Sequence, residues 1–270
     1  MRLRDYQQDL YVKTVDAFRC SLRRPLVVAP CGAGKSYLFS EMVHRTEGEV
    51  LVLVHRQELK QQHEKLLRDL GMTNARVSMI LTEANRLGKY KKPALIVADE
   101  AHLSRSNSWV KVIEFYDTFT VGLTATPIRL DGKPLGDIFD ALITGVDTKW
   151  LIENKRLAPY EYYAPTVVDT SGLRKVAGDY VVSDLEQLMN ERAIYGNVID
   201  SYCKITPGER AIAYCVSVRH AEITAENFNS VIYCRFDIFP HTAYRVVTKA
   251  GMSMVVCNHL IFAFYFDEFI

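Results

Sequence analysis

Ala94-Leu95-Ile96-Val97-Ala98-Asp99-Glu100-Ala101-His102 is an apolar run that ends in two adjacent carboxylates and a histidine. Five consecutive apolar residues read as a strand covered on both faces, because parallel strands flanked by helices show an unbroken apolar pattern rather than an alternating one. Asp99 and Glu100 then emerge at the strand's carboxyl end, where open α/β sheets place their ligands. The expectation is a doubly wound parallel sheet with its chemistry along one edge.

Upstream, Pro25 to Ala29 reads as another strand, and Lys35-Ser36-Tyr37-Leu38 as the first turns of a helix. Between them Ala29-Pro30-Cys31-Gly32-Ala33-Gly34-Lys35-Ser36 matches the phosphate-loop pattern, with Ala29 in place of the first glycine. Gly32 and Gly34 let backbone N–H groups curl around phosphate oxygens, and the following helix adds its positive N-terminal end. Lys35 supplies a point charge, and Ser36 can ligate magnesium. A glycine turn with a solvated lysine would look similar, but the acid-bearing strand favours a magnesium nucleotide. Asp99 would hold the metal through water and Glu100 would polarise the attacking water.

The remaining pattern alternates strands and helices, which indicates a parallel sheet with helices on both faces. Val50–Val54, Arg76–Leu81 and Phe119–Leu123 read as strands, Glu58–Leu70 as a charged amphipathic helix closed by Gly71. Before them, Leu10, Val12, Val15 and Phe18 mark one helical face. From Asp131 to about Pro165, glycines and prolines punctuate the chain, as expected between domains. A helix is predicted over Ser183–Lys204, with Ser183-Asp184-Leu185-Glu186 as its capping start. Ala211–Val216 opens a second sheet, and His220–Phe228 is its helix.

The chain has 270 residues, 49% of them apolar and 24% charged, which excludes disorder over most of its length. A net charge of +1 neither requires nor excludes a nucleic-acid partner, since a basic groove can sit on a neutral protein. Six cysteines without C-x-x-C spacing argue against zinc and disulfides and for a cytoplasmic location. Ala250–Phe266 is uncharged but is interrupted by Asn258 and His259 and is slightly short for a membrane span, so it reads as a buried strand pair.

Several motifs fall in an order that resembles superfamily 2 helicases and translocases with a DEAH-type box, the phage and restriction branch of P-loop NTPases with RecA-like domains. Arg4-Asp5-Tyr6-Gln7 resembles the motif that contacts adenine, and the phosphate loop resembles motif I. Val54-His55-Arg56-Gln57-Glu58-Leu59 resembles motif Ia, Asp99 to His102 motif II, and Gly122-Leu123-Thr124-Ala125-Thr126-Pro127 motif III. The resemblance implies ATP and Mg2+ as cofactors, with Gln7 on adenine and Pro30, Cys31, Gly32, Ala33, Gly34, Lys35 and Ser36 around the phosphates. Ser36 and Asp99 fall on the metal, and Lys35, Asp99 and Glu100 serve catalysis. It also implies coupling through His102, Thr124 and Thr126. Nucleic-acid contacts fall to Arg56, to Thr82, which could alternatively cap a short helix Glu83–Leu87, and to Ser217. That last residue lies in Ala213–Ala221, which resembles motif IV of the second RecA-like domain. The spacing resembles DNA-directed rather than RNA-directed members.

The domain division expected is 1–163 for the first RecA-like domain, 164–230 for a linker and the start of an incomplete second one, and 231–270 for an atypical tail. That tail holds nine of the 29 aromatics, and its basic residues Arg235, Arg245 and Lys249 lack the Gln-x-x-Gly-Arg-x-x-Arg context of motif VI. Truncation or a frame disruption near Ser230 would explain it, as would a divergent partial second domain. Two functions follow: a nucleic-acid-dependent ATPase of the helicase class, with DNA favoured, complete alone or with a partner chain that supplies the second domain, or a module that binds ATP and nucleic acid with little turnover.

Overall fold

The computed structural model describes residues 3–103, 107–127, 135–163, 171–176, 179–189, 192–207, 211–215, 217–236, 244–247, 253–257 and 260–264. Contacts divide the chain into two units, Met1–Glu161 and Tyr162–Ile270.

In the first unit, α1 (Asp5–Arg19) leads into β1 (Pro25–Val28), α2 (Lys35–Arg45), β2 (Val50–Val54) and α3 (Gln57–Asp69). Next come β3 (Ala75–Met79), α4 (Ile80–Ala84), β4 (Leu95–Asp99), α5 (Asn107–Tyr116), β5 (Phe119–Thr124), β6 (Ala141–Thr144) and α6 (Thr148–Glu153). The six strands form one sheet in the order β3-β2-β4-β5-β1-β6, and every pair in it is parallel.

Strand periodicity sorts the core into two layers. Val50, Val52 and Val54 of β2 pack with Leu10 of α1, Phe39 of α2 and Leu67 of α3 on one face. Leu51 and Leu53 pack with Trp109 and Ile113 of α5 on the other. In β4, Val97 belongs to the first face, and Ile96 and Ala98 to the second. Asp99, two residues after Val97, is therefore in phase with the α2 and α3 side.

The strand expected over Arg76–Leu81 stops at Met79, because Ile80 and Leu81 already begin α4. Thr82 accordingly sits inside that helix and does not cap one starting at Glu83. The loosened stretch from Asp131 contains order too: β6 closes the sheet edge beside β1, and α6 is capped by Asp147, whose Oδ1 accepts from the Trp150 N–H at 2.7 Å. Gly132 and Pro134 lie outside the described residues.

The second unit begins with a short antiparallel pair, β7 (Lys175–Val176) and β8 (Asp179–Tyr180). It continues with α7 (Val182–Met189), α8 (Arg192–Ile205), β9 (Ala211–Tyr214), α9 (Val218–Phe236), β10 (Tyr244–Val247), β11 (Ser253–Cys257) and β12 (Leu260–Phe264). The single helix expected over Ser183–Lys204 is two helices. Ser183 is not their cap, since α7 starts one residue earlier, and Asp184 instead takes two bonds from the Arg174 guanidinium at 2.8 and 2.7 Å. The sheet order is β10-β11-β12-β9, with β12 parallel to β9 and the other pairs antiparallel. Ala250–Phe266 thus contributes a strand pair, and the expected boundary after residue 230 falls inside α9. Among the described residues no helix is long and apolar enough to cross a membrane.

Candidate nucleotide site at the carboxyl edge of the sheet

The phosphate loop turns out of β1 in the conformation its glycines predict. Gly32 and Gly34 have φ values of +79° and +85°, the left-handed region that side chains disfavour. The nearest neighbours of both are side-chain tips. A Cβ on Gly32 would lie 2.5 Å from Leu157 Cδ2, and one on Gly34 would lie 2.3 Å from Gln7 Nε2. A turn from Pro30 O to the Ala33 N–H, 3.1 Å, holds the loop, and Gly34 is the residue before α2. Cys31 is exposed, whereas Lys35 and Ser36 are half-buried in the first turn of that helix. Lys35 Nζ donates to Ala29 O at 3.4 Å, a long bond readily exchanged for a phosphate oxygen.

Gln7 ties α1 to the same loop. Its Nε2 donates to Ala33 O at 2.8 Å, while its Oε1 accepts the Arg4 N–H at 3.0 Å, and the side chain is buried. This amide therefore reports on the loop's conformation from the helix beside it.

The acid pair leaves β4 with its two side chains in different settings. Asp99 is buried and its Oδ2 lies 2.7 Å from His63 Nε2 of α3. Glu100 is half-buried and has φ +52°, left-handed without being glycine, in a turn that continues as a 3-10 helix, Ala101–Leu103. His102 Nδ1 lies 3.1 Å from Thr124 Oγ1 and 3.3 Å from Glu100 Oε2. Thr124 uses its only proton on Thr126 O, 2.8 Å away, and also accepts the Thr126 N–H at 3.1 Å. His102 Nδ1 must therefore be the donor to Thr124, which assigns its tautomer.

Strand β5 lies between β1 and β4, so the loop and the acids are two strand spacings apart, about 10 Å. That separation leaves room for phosphates and a hydrated cation. Thr124 at the end of β5 touches both sides: its carbonyl accepts the Ala29 N–H at 3.0 Å, and its hydroxyl meets His102. A glycine cradle, a lysine, a serine hydroxyl and carboxylate oxygens form a donor set suited to a phosphate chain with magnesium, a cation that takes oxygen ligands. The left-handed φ at Gly32 and Gly34 disfavours any side chain in the cradle, and the donor set present fits that group.

Two features here were not singled out by the sequence reading. His63 looks like one more polar residue of a charged helix, but it sits four residues after Leu59 and four before Leu67 on the buried stripe, which is the signal that could have found it. Leu157, just after α6, packs against the loop glycine. His55 at the end of β2 completes the surroundings. Burial, with the Arg56 charge adding to it, pushes the His55 imidazole below its usual range, and its Nδ1 is buried without a hydrogen-bond partner.

The residues expected to meet nucleic acid are less gathered. Arg56 follows His55 after the end of β2 and immediately precedes α3. Thr82 lines a shallow cleft with Gln57, Lys60, Arg76, Arg86 and Tyr90. Ser217 lies in the second unit, where its Oγ accepts the His220 N–H at 3.0 Å at the start of α9. Thr126 is exposed beyond the end of β5.

Comparison with known proteins places this edge in a family. Residues 1–89 and 76–129 match the family described as Type III restriction enzyme, res subunit. The 51.5 kDa protein of a Lactococcus phage (isolate 7-9) is 38% identical over 209 residues, 75% of this chain and 46% of that protein. Together these findings support a superfamily 2 helicase of the restriction and phage type. A Saccharomyces cerevisiae member assigned by name to the ATP-dependent helicases, IRC3, is 27% identical over 242 residues, 74% of this chain and 34% of the yeast protein. Among solved helicases, the Hef helicase domain of Pyrococcus furiosus aligns with a TM-score of 0.48 at 17% identity, covering 87% of this chain and 54% of that one. The chain spans less than half the length of these two curated relatives. The match to the restriction family lies wholly within the first unit, which carries the phosphate loop and the acids.

Proposed function

We propose that the chain binds and hydrolyses magnesium ATP at the carboxyl edge of the six-stranded sheet and that nucleic acid, DNA rather than RNA, stimulates this turnover. The observation that carries the reading is the position of Thr124, bonded at once to the phosphate-loop strand through Ala29 and to the acid motif through His102. Such a link gives the two halves of a nucleotide site one shared strand end. Lys35 and the loop N–H groups would take the phosphates, Ser36 and Asp99 would hold magnesium, and Gln7 would read adenine from its place against Ala33. When bound, the metal supplies charge neutralisation on the phosphates. Glu100, in its outlying backbone conformation, orients and deprotonates water, and His102, Thr124 and Thr126 carry the state of the acids toward the end of β5. Arg56, Thr82 and Ser217 are assigned to the nucleic-acid backbone, a class of contact that positions without reading sequence.

ATP turnover measured on the full chain with and without single- and double-stranded DNA tests the proposal. Stimulated turnover that disappears in Lys35→Ala and Glu100→Gln is expected; turnover indifferent to DNA would sink it. A second reading, a module that binds nucleotide but turns it over slowly, draws support from residues 231–270, which hold no paired-arginine motif. An arginine acting on the transferred phosphate contributes about 10³- to 10⁵-fold in rate in phosphate-loop enzymes. That reading predicts Lys35-dependent ATP binding with negligible turnover at any DNA concentration, relieved by a companion chain bearing the arginine.

A further inference from the structure

The contact between α3 and the acid strand has no place in the motif order. His63 is 2% exposed, and its Nε2 lies 2.7 Å from Asp99 Oδ2. An ionised carboxylate only accepts hydrogen bonds, so the imidazole proton sits on Nε2. Nδ1 is buried and without a hydrogen-bond partner, and the ring is met edge-on by Phe39 at 4.8 Å between centroids. An unsatisfied buried polar atom destabilises a fold, and leucines at neighbouring positions of the same stripe, Leu59 and Leu67, fill such space without that cost. Packing alone therefore does not account for a histidine here.

We propose that His63 is a positioning residue for Asp99. Its Nε2–H fixes the carboxylate rotamer by engaging Oδ2, and so commits Oδ1 to the magnesium ion and its water. The proposal rests on the reading of Asp99 as the metal carboxylate. It concerns a hydrogen bond, which glutamine can replace because its amide Nε2 reaches about as far as the imidazole Nε2.

The test is binding of a fluorescent ADP analogue, N-methylanthraniloyl-ADP, to the full chain as free Mg2+ is varied. His63→Leu is expected to raise the Mg2+ concentration for half-maximal binding by about 10- to 100-fold, the range seen when partners of metal ligands are removed. Its metal-free nucleotide affinity should match wild type, and His63→Gln should restore most of the Mg2+ response. If His63→Leu does not fold, as judged by circular dichroism, His63→Asn replaces it, since its shorter amide falls short of Asp99; the same shift is expected. A wild-type Mg2+ response in His63→Leu or His63→Asn, alongside a shifted one in Asp99→Asn, overturns the role of His63 and leaves Asp99 on the metal. Unchanged responses in all variants, Asp99→Asn included, overturn the metal reading itself and this proposal with it. Equal impairment in His63→Gln and His63→Leu also overturns it, because the ring rather than the bond would then matter.

Discussion

Lys35 rests on a 3.4 Å bond to Ala29 O, so little holds it back from an incoming phosphate. Lys35→Ala removes a charge-assisted contact and should weaken magnesium ATP binding by about 10- to 100-fold in calorimetric titration. Away from the site, Arg76 anchors a part-buried charge network. Its guanidinium spans the fully buried Glu83 at 2.6 and 3.1 Å and also meets Glu49, while the Tyr116 hydroxyl donates to Glu83 at 2.7 Å. Burial alone would raise the Glu83 pKa, but the bonds from Arg76, Tyr116 and Ser78 outweigh it and hold the carboxyl below the usual glutamate range. A depressed carboxyl stabilises the fold above its unfolded pKa, and that contribution fades as pH falls through the lowered folded value. Arg76→Ala strands the buried carboxylate and should cost about 3 kcal/mol in urea unfolding at pH 7, with a smaller difference from wild type below pH 4 or so. Such side-chain partnerships were not legible in the linear chain. Arg76 and Glu83 look like ordinary surface charges until α4 folds back after β3 and brings them together.

At the level of elements, β5 is closely packed at Gly122. A Cβ on Gly122 would lie 2.5 and 2.6 Å from ring atoms of Phe139 and 2.8 Å from Leu26 Cδ1. Gly122→Ala should therefore destabilise the protein by about 1–3 kcal/mol by overpacking, read as a lower urea midpoint. It should also weaken nucleotide binding, because Thr124 two residues on joins both halves of the site. The sheet itself was legible because β1, β2 and β4 are apolar runs that fit no amphipathic helix, while the order of its strands was not read from the sequence. Less was visible where local signals compete. Ala141-Leu142-Ile143-Thr144 is a four-residue strand amid turn formers, and it exists because β1 offers it a parallel edge. Trp109, Val112, Ile113 and Tyr116 do carry the helical period of α5, but β-branched residues dilute its intrinsic helix preference. The second unit's strands were foreseen as a pair, while their partnership with β9 depends on distant pairing that no local pattern encodes.

For the whole molecule, the division at Glu161 and Tyr162 implies two cooperative units. Differential scanning calorimetry should resolve two transitions. Magnesium ATP at 100 times its Kd should stabilise one of them by about 2.7 kcal/mol and leave the other in place, since the residues proposed to cradle the nucleotide all lie in the first unit. A single transition shifted as a block would refute that division of labour. Glu100 adds a constraint of another kind. Holding a non-glycine residue at φ +52° costs on the order of 1–2 kcal/mol, part of which Asn, at ease in that conformation, would return as folding stability. A library ranked by heat tolerance alone should thus drift at position 100 toward Asn or Gly, yielding a sturdier protein without the carboxylate proposed to activate water. Ranked by turnover, the same library should keep glutamate. Selection for endurance and selection for speed pull in opposite directions on one backbone torsion.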